Sequence, residues 1–477
     1  MQDYDKHDAI GLADLVRNRE VSATELLDEA LARADQAQAE LNCFSALFPD
    51  AARKQIEDGV GEGPFAGVPF ATKDLGVHIE GLPITSGSRA FKGTIAKTDS
   101  EIVRRYRKAG LVLFGQTTSP EFGLTTSTES ALYGQTRNPW NLTRTSGGSS
   151  GGASATVASG VIPMAQASDG GGSIRIPAAC TGLVGMKPSR GRIPLGPPKS
   201  ESWNGLSTVH CVSRSVRDSA SLMDATHGRE PGSRYTAAPT VTSFYAASQR
   251  APRRLKVAMW TTAPNGTRPD ADAQAGLDAT VTLLTSLGHV VEDAGPNIDG
   301  EAIGKGMVMV ISAAMANIAA EREATLGRAI GEDDFEPVSL RYIEMGRKIP
   351  IVELAAADEA FMRASYEWDG FLSEGGYDLV LMPTLSRAPV ELGVLGLNPD
   401  DIDAYNHAVS TFAPWCGLFN MIGCPAISLP LHWTPDGLPL GMMFAAPHGD
   451  EALLYSLAGE LERAAPWAHR RAGFYTG

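Results

Sequence analysis

Two clusters of glycine and serine hold the residues of this sequence best suited to catalysis. The first, GGSSGG, contains Ser149, and the second, DGGGSIRIPA, contains Ser173, 24 residues further on. A serine hydroxyl is a weak nucleophile that needs a nearby base. Consecutive glycines let the backbone approach a reacting group and can direct several N–H groups at one developing oxyanion. The segment from Thr143 to Arg192 therefore favours nucleophilic chemistry at a serine.

Two other interpretations of this segment compete. GGSSGG has the composition of a flexible linker, but the apolar run ATVASGVIPMA and a second glycine cluster follow it, which a linker does not need. Gly147 to Gly151 also matches G-x-S-x-G, which would make Ser149 the nucleophile, with a downstream Asp and a histidine such as His432 or His448. The preceding residues NPWNLTRT do not read as the strand which that motif requires, so this alternative is weaker.

Nucleotide and metal motifs are weak. GEGPFA, from Gly61 to Ala66, fits G-x-G-x-x-G/A but contains Pro64 and follows no apolar strand, and GLVGMKPS lacks the GK[ST] ending of a phosphate loop. No HExxH motif occurs, and the aspartates of DAD, from Asp270 to Asp272, are better explained by helix capping than by a calcium loop. The sequence predicts neither a metal nor another cofactor.

Composition restricts the class of protein. The 477 residues are 43% hydrophobic and 20% charged, the proportions of a packed chain, and the formal net charge is −14, which disfavours nucleic acid and anionic lipid as partners. Five widely spaced cysteines without a CxxC pair indicate neither a disulfide framework nor a zinc site. The acidic N-terminal residues do not resemble an export signal, and the apolar stretch from Met307 to Ala320 is too short for a membrane span and predicts a buried helix.

Helices and strands alternate along most of the sequence, which predicts an α/β fold. SATE at Ser22 fits a capping box with Glu25 at the start of a helix. RLKVAMW, the residues from Asp272 to Leu287, and HVVED form a β-α-β pattern. YDLVLMPT, CPAISLPL and LPLGMMFAAP read as buried strands, and a last helix is predicted from Asp450 to Ala464.

The sequence resembles the amidase signature family of serine hydrolases. The resemblance rests on GVPFATKD, GGSSGG and DGGGSIRIPA in that order, on VGMKPSRGRIP after them, and on FNMIGCPAISLPLHWTPDGLPLG near the C-terminus. It implies a central twisted mixed β-sheet covered by helices on both faces. It also implies a single domain over residues 1–477, with a signature core at about 65–215, a helical and β-α-β cap-like portion at about 254–375, and C-terminal strands and a helix at 376–477.

The resemblance assigns the catalytic set residue by residue. It implies that Ser173 is the nucleophile, that Ser149 is a bridging serine in a cis peptide, and that Lys73 of ATKD is the base. A lysine has a reference pKa of about 10.4, and lowering it to near 7 by burial costs about 4.6 kcal/mol, so Lys73 is expected to be buried.

The resemblance also implies roles for the residues around this set. The oxyanion hole is expected to use the N–H groups of Gly170, Gly171, Gly172 and Ser173, although Gly170 stands where the family usually has Thr or Ile. Asp169 is expected to hold that loop, Ser150 and Arg175 to support it, with Arg175 more a structural ion-pair partner than a catalytic group, and Leu124 and Thr125 to contact substrate.

The leading hypothesis is hydrolysis of a carbon–nitrogen amide-type bond, in an amide, carbamate or oligoamide, through an acyl-enzyme on Ser173. The glutaminase-like component of a tRNA-dependent amidotransferase is the alternative, disfavoured by the negative charge and by the lack of a Gly-Tyr-Tyr-Asp segment. A catalytically inactive scaffold is disfavoured because Lys73, Ser149 and Ser173 occur together. We expect a small-molecule amide as the partner, no nucleic acid and no membrane, a cytoplasmic location, and a chain compatible with a homodimer.

Overall fold

Strands and helices alternate along residues 3–477, the part of the chain that the computed structural model describes. The strands are β1 (Phe44–Leu47), β2 (Pro69–Lys73), β3 (Val112–Thr117), β4 (Glu129–Ser130), β5 (Gly134–Gln135), β6 (Arg137–Asn138), β7 (Asn141–Thr145), β8 (Met164–Asp169), β9 (Val184–Lys187), β10 (Thr208–Ser213), β11 (Lys256–Met259), β12 (Val290–Asp293), β13 (Leu379–Pro383), β14 (Ala426–Trp433) and β15 (Pro439–Ala445). The α-helices are α1 (Ala9–Arg17), α2 (Ala23–Leu41), α3 (Pro49–Asp58), α4 (Glu101–Lys108), α5 (Gly151–Ala158), α6 (Arg175–Thr181), α7 (Val216–Thr226), α8 (Phe244–Ser248), α9 (Ala271–Ser286), α10 (Gly300–Leu326), α11 (Pro337–Gly346), α12 (Ile351–Gly375), α13 (Ile402–Phe412), α14 (Cys416–Met421) and α15 (Glu451–Ala464).

Eight strands form one mixed sheet in the order β12-β11-β13-β15-β14-β9-β10-β8. Strand β11 pairs in parallel with both β12 and β13, as a β-α-β connection requires, while the remaining pairs are antiparallel. The sheet draws strands from all three portions predicted from the sequence. The mixed α/β fold is thereby confirmed, and the boundaries of the three portions remain a prediction.

Both faces of the large sheet are covered. On β13, Leu379 and Leu381 belong to an apolar cluster that contains residues of α1, α7, α9 and α15. The alternate residues Val380 and Met382 belong to a second cluster with residues of α10, α12 and α14. Because successive side chains of a strand point to opposite faces, a strand covered on both sides is apolar throughout. This explains why YDLVLMPT reads as a continuous apolar run.

A smaller sheet, β1-β3-β2, lies beside strand β8 at the edge of the large one. Side chains connect the two sheets at this junction: the backbone N–H of Lys73 donates to Gln166 Oε1 of β8 at 2.6 Å. Lys73 is the last residue of β2 and Asp169 is the last residue of β8. The junction therefore brings the ends of two buried strands together, and the loops that follow them meet there.

Local predictions of helices and strands agree with the structure. Ser22 caps α2, with its Oγ accepting from the Glu25 N–H and the Glu25 carboxylate accepting from the Ser22 N–H. The β11-α9-β12 unit lies where the sequence placed it, and Asp270 caps α9, as the capping interpretation of DAD predicts. The last helix, α15, begins one residue after its predicted start and ends at Ala464.

Helix α10 contains the apolar stretch predicted as a buried helix. It is longer than that stretch, and by length and composition alone it could cross a membrane, with a mean hydropathy of 1.5 in its most apolar window. In this fold α10 packs against α11 and α12, and Ile303, Gly306, Val310 and Met315 are buried. The prediction of a helix is confirmed, and its burial is confined to the faces that meet these neighbours.

Helix α5, which follows the first glycine cluster, fits tightly against the end of β3. A Cβ added at Gly152 would lie 2.5 Å from the backbone N of Thr118 and 2.6 Å from its carbonyl oxygen. At Gly370 in α12, by contrast, an added Cβ would have no neighbour within 4 Å. The close approach of Thr118 therefore requires a glycine at position 152, whereas no steric requirement explains the glycine at position 370.

We expect Gly152→Ala to lower the free energy of unfolding by about 1–3 kcal/mol, because backbone must move to admit the methyl group. Gly370→Ala should raise it by about 0.5–1 kcal/mol, because alanine has the higher helix propensity. Thermal and denaturant unfolding of both variants checks this pair. Equal effects of the same sign would contradict the close packing of α5.

Candidate active site

Lys73 lies at the bottom of the site with no exposed surface. Its Nζ is 2.7 Å from Ser149 Oγ and 3.1 Å from Ser168 Oγ. Every residue of β2 is buried, since the strand pairs with β3 and lies beside β8. The predicted contact between Lys73 and the first glycine cluster is therefore present, held by strands rather than by a mobile loop.

Burial changes the charge state of this lysine. Removal of the ammonium from water lowers the pKa of Lys73 to about 7. The negative charge of Asp169 opposes this shift but is too weak to cancel it. A large fraction of Lys73 is then a neutral amine near pH 7, with a lone pair that can accept a proton from Ser149. This agrees with the expectation that Lys73 serves as a base.

Ser149 lies in the turn that leads into α5. The Gly148–Ser149 peptide is cis, as the family resemblance implied. The Thr128 hydroxyl donates to the Gly147 carbonyl oxygen and accepts from the Gly151 N–H, both at 2.9 Å, so it ties together the two sides of the turn.

Ser150 connects the same turn to β8. Its hydroxyl donates to the carbonyl oxygen of Ser168 at 3.2 Å and accepts from the Ser168 N–H at 3.3 Å. Ser168 also contacts Lys73. The Ser150 bonds therefore fix Ser149 relative to the lysine, which agrees with the supporting role predicted for Ser150.

Asp169 organises the second glycine cluster. Its carboxylate accepts from the N–H groups of Gly172 and Ile174 and forms a bidentate pair with the Arg175 guanidinium at 2.9 and 3.0 Å. Both side chains of this ion pair are fully buried. Burial alone would raise the pKa of Asp169, but the Arg175 charge outweighs it and holds that pKa at about 2. Arg175 is therefore an ion-pair partner of the loop, as predicted.

Asn420 of α14 completes this network. Its Nδ2 donates to the Asp169 backbone oxygen and to Oδ1, each at 2.9 Å, while its Oδ1 accepts from Arg175 at 2.7 Å. Since the partners are 251 and 245 residues away along the chain, no local pattern in the sequence could indicate them. The sequence analysis missed Asn420 for that reason.

The structure distinguishes among the four predicted oxyanion donors. The N–H of Gly172 donates to Asp169 Oδ1 at 2.7 Å, so it is already engaged and does not face a substrate. Gly171 and Ser173 line the cavity described below, whereas Gly170 does not. The oxyanion role of the Gly171 and Ser173 N–H groups remains a prediction, and both residues lie at the cavity.

Gly170, the departure from the family pattern, packs against Trp203. A Cβ at this position would lie 2.8 Å from the indole ring and 2.9 Å from Ser207 Oγ. The indole thus occupies the space that a threonine or isoleucine would need. The glycine therefore admits Trp203, which also lines the cavity.

Ser173 opens onto a cavity of about 530 Å³, within the range of about 300–1,000 Å³ typical of small-molecule sites. Within residues 3–477, the Ser173 side chain has no hydrogen bond to another residue. Leu124 and Thr125, predicted to contact substrate, both line this cavity. Three helices supply most of the remaining wall: α10, α11 and α13.

The cavity wall is mostly apolar. Each of the three helices presents side chains one turn apart, among them Ile303, Met307 and Ile311 on α10, Val338, Tyr342 and Met345 on α11, and Ile402, Tyr405 and Val409 on α13. Thr125 is anchored by a hydrogen bond from its hydroxyl to the Leu395 carbonyl oxygen at 2.6 Å. The sequence analysis named no residue of α13 as a substrate contact.

The G-x-S-x-G alternative fails on its catalytic partners. Asn141–Thr145 does form strand β7, so the argument that no strand precedes Ser149 was wrong. That strand, however, pairs with β6 in a two-stranded sheet apart from the central one, and its Arg144 forms an isolated bridge with Glu391. Within residues 3–477, Ser149 has no hydrogen bond to His432 or His448, and its hydroxyl contacts Lys73 instead. The described residues likewise contain no group of three His, Cys, Asp or Glu side chains able to hold a metal.

Comparison with known proteins gives one consistent result. A family model described as Amidase matches residues 25–455. A 6-aminohexanoate-cyclic-dimer hydrolase of Pseudomonas sp. (strain NK87) is 37% identical over 476 residues, covering 97% of this chain and 96% of that protein. The structure of a 6-aminohexanoate cyclic dimer hydrolase complexed with substrate aligns at a TM-score of 0.93 and 35% identity, over 99% of this chain and 100% of the other.

Two further structures show how far the likeness extends. A bacterial aryl acylamidase of the amidase signature family aligns at a TM-score of 0.87 and 27% identity, over 97% of both chains. A component of the glutamyl-tRNA(Gln) amidotransferase from Thermotoga maritima aligns at a TM-score of 0.76 with 24% identity, over 100% of this chain and 98% of that one. The second of these shares the fold at a greater distance.

We expect a fluorophosphonate to modify Ser173 at a rate that rises with pH through about 7 and levels off above it. The reason is that only the neutral form of Lys73 can accept the serine proton, and its pKa is about 7. Mass spectrometry of Ser173 peptides at a series of pH values measures the rate. In Lys73→Met, which keeps an apolar chain of similar length, the rate should be low and lack this step; an unchanged profile in that variant would contradict the assignment.

Proposed function

This chain belongs to the amidase family, whose members hydrolyse carbon–nitrogen bonds in amides, and we propose that it acts on oligoamides or alkyl amides through an acyl-enzyme on Ser173. The observation that carries the proposal is the 2.7 Å contact between the buried Lys73 Nζ and Ser149 Oγ, next to an apolar cavity that Ser173 lines. Gly123 also lines this cavity, and a Cβ added there would lie 2.8 Å from Ser149 Oγ, so Ser149 lies close to the cavity wall.

The acylation step moves one proton along the serines. Neutral Lys73 accepts the proton of Ser149, and Ser149 accepts the proton of Ser173 as the Ser173 oxygen attacks the carbonyl carbon. The carbonyl oxygen becomes an oxyanion, stabilised by the N–H groups of Gly171 and Ser173. Removal of one such donor typically costs about 2.7–4 kcal/mol in the transition state. Since the glycine loop is fixed by Asp169, these donors need not reorganise during the reaction.

Collapse of the intermediate uses the same proton. An amine leaves poorly as an anion, so the Lys73 ammonium returns the proton through Ser149 to the departing nitrogen as the carbon–nitrogen bond breaks. The acyl group remains on Ser173. A water molecule then attacks this ester, gives a proton to Lys73 through Ser149, and the proton passes to the Ser173 oxygen as the carboxylic acid is released.

The substrate proposal rests on the lining of the cavity. A wall of aliphatic, methionine and aromatic side chains favours hydrocarbon chains, and burial of each methylene contributes about 0.8 kcal/mol to binding. The relative at 37% identity is named for hydrolysis of a cyclic dimer of 6-aminohexanoate, a molecule of two amides and two alkyl chains. Oligoamides of this kind match both the volume and the chemistry of the site.

The glutaminase-like component of an amidotransferase is a weaker candidate. Glutamine is small and zwitterionic, whereas this cavity is large and mostly apolar. The net charge of −14 disfavours contact with tRNA, and the amidotransferase component is a distant relative at 24% identity. A free-standing hydrolase with a small-molecule partner is therefore the better proposal.

We propose that the chain works in the cytoplasm, without nucleic acid, membrane or cofactor. The five cysteines are all unpaired and buried, which suits a reducing compartment. The homodimer stays a prediction.

We expect the purified chain alone to hydrolyse 6-aminohexanoate cyclic dimer or a linear alkyl amide faster than glutamine. The reason is that glutamine cannot use the apolar wall. A panel of cyclic oligoamides, alkyl amides, aryl amides and glutamine, with product release followed by chromatography, measures kcat/KM for each. Preference for glutamine over the alkyl amides would overturn the substrate proposal, and a Ser173→Ala preparation serves as the background control.

A further inference from the structure

One charged side chain interrupts the apolar lining of the cavity. Of the residues within 3–477 that line it, Arg341 of α11 alone carries a formal charge. The others are aliphatic, aromatic, methionine, glycine, proline or neutral polar residues. A charge in such a setting needs an explanation, because an apolar pocket for an uncharged amide gains nothing from it.

Arg341 belongs to the helix face that forms the wall. Val338 precedes it by three residues and Met345 follows it by four, and all three residues line the cavity. Residues at these spacings share one face of an α-helix. Arg341 is exposed, while Ile343 on the opposite side of the helix is buried. The guanidinium is therefore at the solvent-accessible part of the wall, where a substrate end would emerge.

Arg341 differs from neighbouring arginines in having no acidic partner. Arg347, at the end of the same helix, pairs with Glu323 at 2.8 Å, and Arg328 pairs with Asp334 at 2.7 Å. Within residues 3–477 the structure gives Arg341 no ion pair and no hydrogen bond. Burial raises the pKa of the neighbouring Tyr342, and the Arg341 charge lowers it in part. The five donors of its guanidinium are available.

We propose that Arg341 binds the carboxylate of an amide substrate whose hydrocarbon chain lies in the cavity, so that the enzyme favours amides with a terminal carboxylate over neutral ones. This rests on the proposed amide hydrolysis at Ser173. A planar guanidinium matches a carboxylate in a two-point contact. Linear oligomers of ω-amino acids and N-acyl ω-amino acids are substrates of this class.

The binding of this carboxylate is expected to act on KM. The contact lies away from the reacting bond, so it stabilises the Michaelis complex and the transition state equally. A substrate that carries the charge should therefore have a lower KM than its neutral analogue, with a similar kcat.

The test compares matched substrates in matched variants. One substrate is the mono-4-nitroanilide of hexanedioic acid, and the other has a primary carboxamide in place of its carboxylate; a second pair, N-hexanoyl-6-aminohexanoate and its carboxamide, places the charge on the amine side. The variants are Arg341→Gln, Arg341→Glu and the control Arg347→Gln, which removes a paired charge from the same helix. The measured quantity is the ratio of kcat/KM between the members of each pair.

We expect the wild type and Arg347→Gln to favour the carboxylate in at least one pair by about tenfold. Arg341→Gln should reduce that ratio to near one, and Arg341→Glu should invert it. The same ratio in the wild type and in both Arg341 variants, for both pairs, would overturn the role of Arg341. Absence of turnover by the wild type would instead contradict the proposed hydrolysis. In that case the carboxylate site is tested by binding alone: the affinities of the two members of each pair are measured for Ser173→Ala and for Ser173→Ala/Arg341→Gln.

Discussion

The burial of one lysine is the constraint on which the rest of the site depends. Lys73 has no exposed surface, and loss of hydration lowers its pKa from 10.5 to about 7, a change of about 5 kcal/mol at 1.36 kcal/mol per unit. Two covered strands and a turn of small residues make that burial possible. If water entered, Lys73 would be an ordinary ammonium near neutral pH, and the serines beside it would have no base.

Arg175, a second buried basic side chain in the same site, stays charged because it is paired with a carboxylate. Arg175 keeps its charge because the Asp169 carboxylate contacts it in a bidentate pair. Asn420 accepts a further hydrogen bond from Arg175 and donates one to Asp169. Removing one member of such a pair leaves an uncompensated buried charge, which typically costs about 3–5 kcal/mol. The retained charge of Arg175 fixes the glycine loop, so its burial serves the structure. Lys73 is uncharged when it acts as the base, so its burial serves catalysis.

The sequence predicted what depends on local pattern. Lys73, Ser149, Asp169 and Ser173 lie in short motifs, and the β11-α9-β12 unit follows from apolar periodicity. Asn420 and the wall of α10, α11 and α13 depend on contacts between distant segments, which no local pattern encodes. The hydrogen bond from the Gly172 N–H to Asp169 could not be predicted, because a run of glycines does not reveal which N–H turns towards that carboxylate. Trp203 was missed because its partner, Gly170, has no side chain that could indicate a neighbour.

The central claim is that Lys73 first takes the serine proton and then returns it to the leaving nitrogen. An aryl ester expels a stable phenoxide that does not need this second step, whereas the matching aryl amide does. Measuring kcat/KM of Lys73→Ala on both tests the claim most directly. We predict that the amide reaction falls at least about tenfold further than the ester reaction, or about 1.4 kcal/mol. Equal losses on the two substrates would contradict it.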